Sequence, residues 1–302
     1  MKYDPVKARR FAESLSALVK NPVSLLEKDV WLTYALREAY ALPEGASLAF
    51  KGGTCLVKAY FGHYRFSEDL DFTWIGSPIA EREFRRSVVE EVMAELGLVW
   101  DCHDKVRTGI AGTHSGGVMN YFLLTPEAEG KQNKLKITVA FDEVLEFPLV
   151  HKAIKPTAPL VQQRELNAVF GKISRDYFFP SSALCYSLQE IACEKIRAIL
   201  TRKVQPNRSR DLVDLMAITG DFSLARAAPE NAFKAKLSSA LRIPAYAREY
   251  AKNTANLHEH LQQLASQAML DPVFITLPDP GQLAKFSEQL EEYIINATPK
   301  KT

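Results

Sequence analysis

The sequence predicts an α+β protein: a mixed sheet with flanking helices over about residues 1–180, then a helical domain over 181–302. Three observations carry this expectation. In the first half, short apolar runs beside glycines, such as Ser47-Leu-Ala-Phe50, alternate with helical patterns. Lys134 to Asp142 alternates polar and apolar side chains, as a half-buried strand does. From Leu184 onward nearly every window has helical periodicity, broken at Pro206, Gly220, Pro229, Pro244 and the Pro272–Pro280 region.

Each element follows from local pattern. Phe11, Leu15, Leu18 and Val19 sit at helical spacing within Lys7–Val19. A second helix fits Ser24–Tyr40, with Leu25, Val30, Trp31, Tyr34 and Ala35 as its buried stripe, and it stops before Leu42-Pro-Glu-Gly45. The strand Ser47–Phe50 runs into Lys51-Gly52-Gly53-Thr54, and a short helix follows from Cys55 to Phe61. Asp71–Ile75 reads as a strand ended by Gly76-Ser77-Pro78, and Ala80–Leu96 as a long charged helix. Two strands are expected between Val99 and Asn133 around a Gly-rich turn, Gly109 to Gly117, and another over Lys134–Glu143. The chain changes texture after Pro148, Phe178-Phe-Pro-Ser-Ser182 marks the domain boundary, and about five helices follow.

Composition narrows the function class. With 302 residues, 47% hydrophobic and 25% charged, the chain has a globular composition. Its 38 basic and 36 acidic residues leave a net +2, which excludes a globally basic nucleic-acid binder but permits local basic surfaces. Of the clusters Lys7/Arg9/Arg10, Arg82/Arg85/Arg86 and Arg202/Lys203/Arg208/Arg210, the last suits an RNA backbone. No apolar run nears the ~18 residues of a membrane span. The first residues lack a signal peptide's apolar stretch, so a cytoplasmic protein without membrane contact is expected. The four cysteines read as buried thiols, and the six histidines show no metal spacing, His258-x-His260 reading as a surface pair.

The informative segment is Phe50-Lys-Gly-Gly-Thr-Cys-Leu56 followed by Arg65-Phe-Ser-Glu-Asp-Leu-Asp-Phe-Thr-Trp74. On a strand, Asp69 and Asp71 project from one face while Leu70 and Phe72 project from the other. Two carboxylates on one face repel unless a cation lies between them, and magnesium takes carboxylates together with phosphate oxygens. Gly52 and Gly53 let the backbone approach a phosphate, and the following helix start adds partial positive charge. These are the parts of phosphoryl or nucleotidyl transfer.

The sequence here resembles the nucleotidyltransferases with a DNA-polymerase-β-like core, and more closely the AbiEii/AbiGii family of abortive-infection and toxin–antitoxin nucleotidyltransferases. The matching words are Glu27-Lys28-Asp29, Phe50-Lys-Gly-Gly-Thr54, Phe66-Ser-Glu-Asp-Leu-Asp71, Glu190-Ile-Ala-Cys-Glu-Lys-Ile-Arg-Ala-Ile-Leu200 and Arg210-Asp-Leu-Val-Asp-Leu215. They span about residues 25 to 215, in the family's order. The resemblance implies that Asp69 and Asp71 hold Mg2+ and that Gly52, Gly53, Thr54 and Ser67 serve the nucleotide. It implies too that Lys195 binds phosphate and that Asp211 completes the catalytic set from the helical domain, with Asp214 as support. It implies an NTP substrate, transfer of NMP to RNA such as the 3′ acceptor end of tRNA, and a cognate antitoxin encoded nearby.

Three points stay open at this level. The family's third carboxylate falls at Thr138, so Asp142, Asp211 or water is left to accept a proton, or the core binds NTP without turnover. The acceptor could instead be a small molecule or a protein. The Glu190, Glu194, Arg197 face of one helix reads from periodicity alone as a solvated, ion-paired surface. Ser67, two residues before Asp69, is a position where a phosphate would crowd the metal site with charge.

Overall fold

A computed structural model describes residues 2–62, 64–106, 117–141, 143–158, 162–179, 181–203, 208–221, 223–276 and 278–298. Most of the Gly-rich turn between Gly109 and Gly117, Asp142 and Pro206 lie outside the described residues. The protein is a mixed α+β structure, with a seven-stranded sheet and many helices. It divides into two compact units. The first carries the whole sheet; the second runs from Tyr186 onward and includes Val144–Pro148.

The first unit begins with α1 (Pro5–Val19), whose start is fixed by the Asp4 carboxylate accepting from the amides of Val6 and Lys7. Helix α2 (Val23–Ala41) has scarcely any polar face: Leu26, Val30, Trp31, Tyr34 and Leu36 are all buried, while Leu25 of the expected stripe is half-buried. A helix apolar on nearly every side belongs inside a core. It also buries Glu27 and Asp29, which the interior tolerates because each is paired.

Strand β1 (Leu48–Lys51) leads into α3 (Gly52–Cys55), which continues through the wider turns of Leu56–Phe61. The helix therefore starts on the glycines themselves, three residues before the expected Cys55. Strand β2 (Asp69–Trp74) likewise starts two residues early, on Asp69. Helices α4 (Glu81–Phe84) and α5 (Glu90–Leu96) are joined through a wider-turned stretch, Arg85–Val89. Next come β3 (Val99–Val106), β4 (Val118–Leu124) and β5 (Lys134–Ala140). Pattern reading missed four elements after Pro148: β6 (Val150–Ile154), α6 (Gln163–Phe170), α7 (Lys172–Phe178) and β7 (Ser181–Cys185).

The strand order is β3-β4-β5-β2-β1-β7-β6. Strand β2 pairs antiparallel with β1 and parallel with β5, so it lies centrally, flanked on both sides. Leu48, Leu70, Phe72 and Ile137 pack with Ala35, Phe84, Val88 and Val92 on the helix-covered face. By the alternation of a strand, Lys51, Asp69, Asp71, Thr73, Lys136 and Thr138 share the opposite face.

In the second unit, α8 (Leu188–Thr201) and α9 (Ser209–Ile218) pack together. Then come α10 (Leu224–Ala227), α11 (Glu230–Leu241), α12 (Pro244–Ala255), α13 (Leu257–Ala268) and α14 (Pro280–Ala297). Pro244 and Pro280 open their helices, where a missing N–H costs nothing. The described residues hold seven helices here rather than five, because 244–268 is divided at Asn256 and a one-turn α10 stands alone.

Candidate active site

Gly52 turns the chain from β1 into α3 at φ +73°, a region that favours glycine. A β-carbon there would collide with Asp71 Oδ2 and lie 3.2 Å from Asp71 Cβ. The Asp71 carboxylate thus rests against the backbone of the turn. At Gly53 a β-carbon would meet Arg65 Nη2 instead. Arg65 is buried, and its Nη1 donates to the Phe66 carbonyl at 2.9 Å. The two glycines serve two separate contacts, one to a carboxylate and one to a guanidinium. Arg65 was not singled out from the sequence, since an arginine ahead of a strand carries no pattern of its own.

Asp69 and Asp71 leave the same face of β2. Burial raises the Asp69 carboxyl above its ordinary range, the Asp71 charge raises it further, and Lys136 and Lys28 draw it back down. Lys136 Nζ stands 3.8 Å from Asp69 Oδ2. The Thr54 hydroxyl donates to Ser67 Oγ at 2.6 Å and also reaches the Asp69 carbonyl. That pairing fastens the glycine turn to the start of β2. Gly52, Gly53, Thr54, Ser67, Asp69 and Asp71 are therefore neighbours within the first unit.

Thr138 is in register with Asp71 on β5, and its hydroxyl donates to Asn120 Oδ1 at 3.1 Å. Strand β5 ends at Ala140, and Asp142, the other candidate for the third carboxylate, lies outside the described residues. Beyond the strand, the Glu143 carboxylate is ion-paired to Lys51 and accepts from the Thr73 hydroxyl at 3.0 Å. Neither Lys51 nor Glu143 was marked from the sequence; the strand expected over Lys134–Glu143 puts Glu143 in phase with the apolar Leu135, Ile137 and Val139, whereas β5 ends at Ala140. Among the described residues, no three His, Cys, Asp or Glu side chains cluster as a ready metal site. The donor chemistry still fits a divalent cation. Two carboxylates share a face, one of them costly to ionise, and the glycine turn leaves room for the second.

In the second unit the Lys195 ammonium lies between two acids, 2.5 Å from Asp211 Oδ1 and 2.7 Å from Asp214 Oδ2. Asp214 is fully buried and Asp211 nearly so. The helix carrying Lys195 is fixed at both ends. Ser187 caps the start of α8, accepting from the Glu190 amide at 3.2 Å. At the other end, Asn253 Nδ2 donates to the Leu200 and Arg202 carbonyls, and His260 Nε2 meets the Ile199 carbonyl at 2.9 Å.

Several surface expectations change. Glu190 is fully buried rather than solvated: it accepts from the Glu146 and Phe147 amides and pairs with Lys236. Arg210 is held by Asp271 through Nε at 2.6 Å and Nη2 at 3.3 Å, which ties it into the fold and away from a free basic rim. His260 is buried, so only His258 of that pair is on the surface, against Glu291. Cys102 is exposed, while Cys55, Cys185 and Cys193 are buried.

A same-face carboxylate pair beside a strand, double glycine and helix, in a mixed sheet, is the arrangement of a nucleotidyltransferase. A model of the family described as "Nucleotidyl transferase AbiEii toxin, Type IV TA system" matches residues 34–292. The chain belongs to this family, and it is a nucleotidyltransferase toxin of a type IV toxin–antitoxin system. The matched span runs past residue 215, where the matching words end, through α10 to α13 and into α14. It omits Glu27-Lys28-Asp29. No curated protein matches the chain. Among the described residues no helix is long and apolar enough to cross a membrane.

Proposed function

We propose that the enzyme transfers a nucleoside monophosphate from an NTP to RNA, at the 3′ acceptor end of tRNA, with Mg2+, and so blocks translation. The observation that carries this reading is the Asp69/Asp71 pair on one strand face, with Asp71 against the backbone of Gly52. Mg2+ held by these two carboxylates would neutralise charge on the phosphates and polarise the α-phosphate. The residues supply the rest. The amides at the start of α3 receive phosphate oxygens, while the bare glycines leave room there for the Asp71 carboxylate and the Arg65 guanidinium. Thr54 and Ser67 hold the turn and β2 in register through their shared hydrogen bond.

Lys195 supplies a compact positive charge for phosphate, and Asp211 accepts the proton of the attacking hydroxyl. Support for this pairing is the 2.5 Å ion pair, with Asp214 as a second carboxylate able to keep Lys195 oriented when Asp211 works as a base. A cognate antitoxin encoded nearby is the expected partner, and a cytoplasmic site of action agrees with an RNA substrate.

Incubation of the full chain with each labelled NTP, Mg2+ and total tRNA tests the reading. Label is expected on tRNA with at least one nucleotide. Label on protein or on small molecules alone, resolved by mass spectrometry, would move the acceptor to those classes. No transfer with any of the four nucleotides defeats the proposal.

A further inference from the structure

The polar face of the sheet carries a cation that the reading above leaves without a task. We propose that Lys51 is a contact for the triphosphate of the bound NTP, and that Glu143 is a positioning residue which holds the Lys51 ammonium on that face until the nucleotide replaces it. The inference rests on the nucleotidyltransferase reading and deepens it.

Lys51 is the last residue of β1 and stands opposite Asp71 in the antiparallel register, so its side chain leaves the sheet on the side of the two carboxylates. The next residue is Gly52, where the chain enters the turn proposed to receive phosphate. The Lys51 side chain is only 12% exposed, and an ammonium so far out of water needs an anion. Glu143 provides it. The same carboxylate oxygen accepts from Thr73, two residues beyond Asp71 on β2. Glu143 is thereby held from two strands, and keeps the Thr73 bond when Lys51 turns away.

The face then bears three carboxylates, Asp69, Asp71 and Glu143, against Lys51 and Lys136. A triphosphate arriving with its cation makes the two aspartates attractive and offers Lys51 an anion of higher charge than Glu143. A long flexible cation suits this exchange, since it can swing from one anion to another without moving the backbone. A purely structural strut would make a different prediction: loss of either partner would lower stability and leave nucleotide affinity alone. The exchange predicts opposite signs for the two variants.

The test is equilibrium binding of the α,β-methylene analogues of the four NTPs, which cannot react, to the full chain in Mg2+. Lys51→Met is expected to weaken binding about tenfold or more, Lys51→Arg to stay near wild type, and Glu143→Gln to tighten binding about threefold. Melting curves identify a variant that has failed to fold, and in that event Lys51→Arg against Glu143→Gln decides. Lys51→Met binding as tightly as wild type overturns the assignment of Lys51. Glu143→Gln binding no tighter than wild type overturns that of Glu143. A wild-type chain that binds none of the analogues overturns the nucleotidyltransferase reading along with this one.

Discussion

At the scale of single residues, the site stores electrostatic cost. The Asp69 carboxyl is raised by burial and by Asp71, so the folded chain binds that proton more readily than the unfolded one. Its contribution is favourable below the unfolded value near 4 and is lost as pH rises through the folded value. At neutral pH, without divalent cation, charged Asp69 therefore opposes folding. Asp69→Asn is expected to melt above wild type at pH 7 in EDTA, the gap closing toward pH 4, while transfer is lost. A variant melting at or below wild type at pH 7 would contradict this. The aspartates and glycines were legible because period-two alternation and the demand for φ > 0 are local properties. Arg65, Lys51 and Glu143 were not, because their positions depend on strand register and on a chain segment beyond β5.

At the scale of elements, α3 is anchored from beneath by a buried ionic group. Lys58, on the continuation of α3, places its ammonium 2.7 Å from Asp29 of α2 and 2.8 Å from the Thr33 hydroxyl. Asp29 also accepts from Thr157 at 2.6 Å and Tyr177 at 2.7 Å. Removing one member leaves a buried charge, so Asp29→Ala is expected to cost about 3–5 kcal/mol in denaturant unfolding. Replacing both with Asp29→Leu and Lys58→Met should cost less than Asp29→Ala alone. A loss under about 1 kcal/mol for Asp29→Ala would show that this group is not what holds α3.

The C-terminal end of α8 gives a second test. Burial lowers the His260 pKa, and although the Ile199 carbonyl pulls it upward, the unfolded chain takes its proton first on acidification. Stability is complete above about 6.5 and falls as pH drops toward the folded value. His260→Gln, which can keep a bond to Ile199, should lose less melting temperature than wild type between pH 7.5 and 5.5. Equal losses would refute it. The strands missed from the sequence have a physical cause as well. Val150–Ile154 is an edge strand whose outward residues are half-buried or exposed, and Ser181–Cys185 is short and opens on two serines. Both are strands by virtue of pairing with each other and of β7 with β1.

At the scale of the whole molecule, the α+β class was legible because hydrophobic periodicity changes along the chain, and the family match over residues 34–292 agrees with it. Net charge said little. The near-neutral total hides acids and lysines gathered on one sheet face, and a basic cluster of which Arg210 is tied to Asp271. The proposed nucleotidyl transfer depends on the Asp69/Asp71 face. The most direct measurement is pyrophosphate release from NTP in the presence of total RNA, by wild type and by Asp71→Asn at matched folded concentration. Wild type is expected to release pyrophosphate and Asp71→Asn to lose at least about 100-fold of that rate, with little change in melting temperature. Release by Asp71→Asn at the wild-type rate would contradict it.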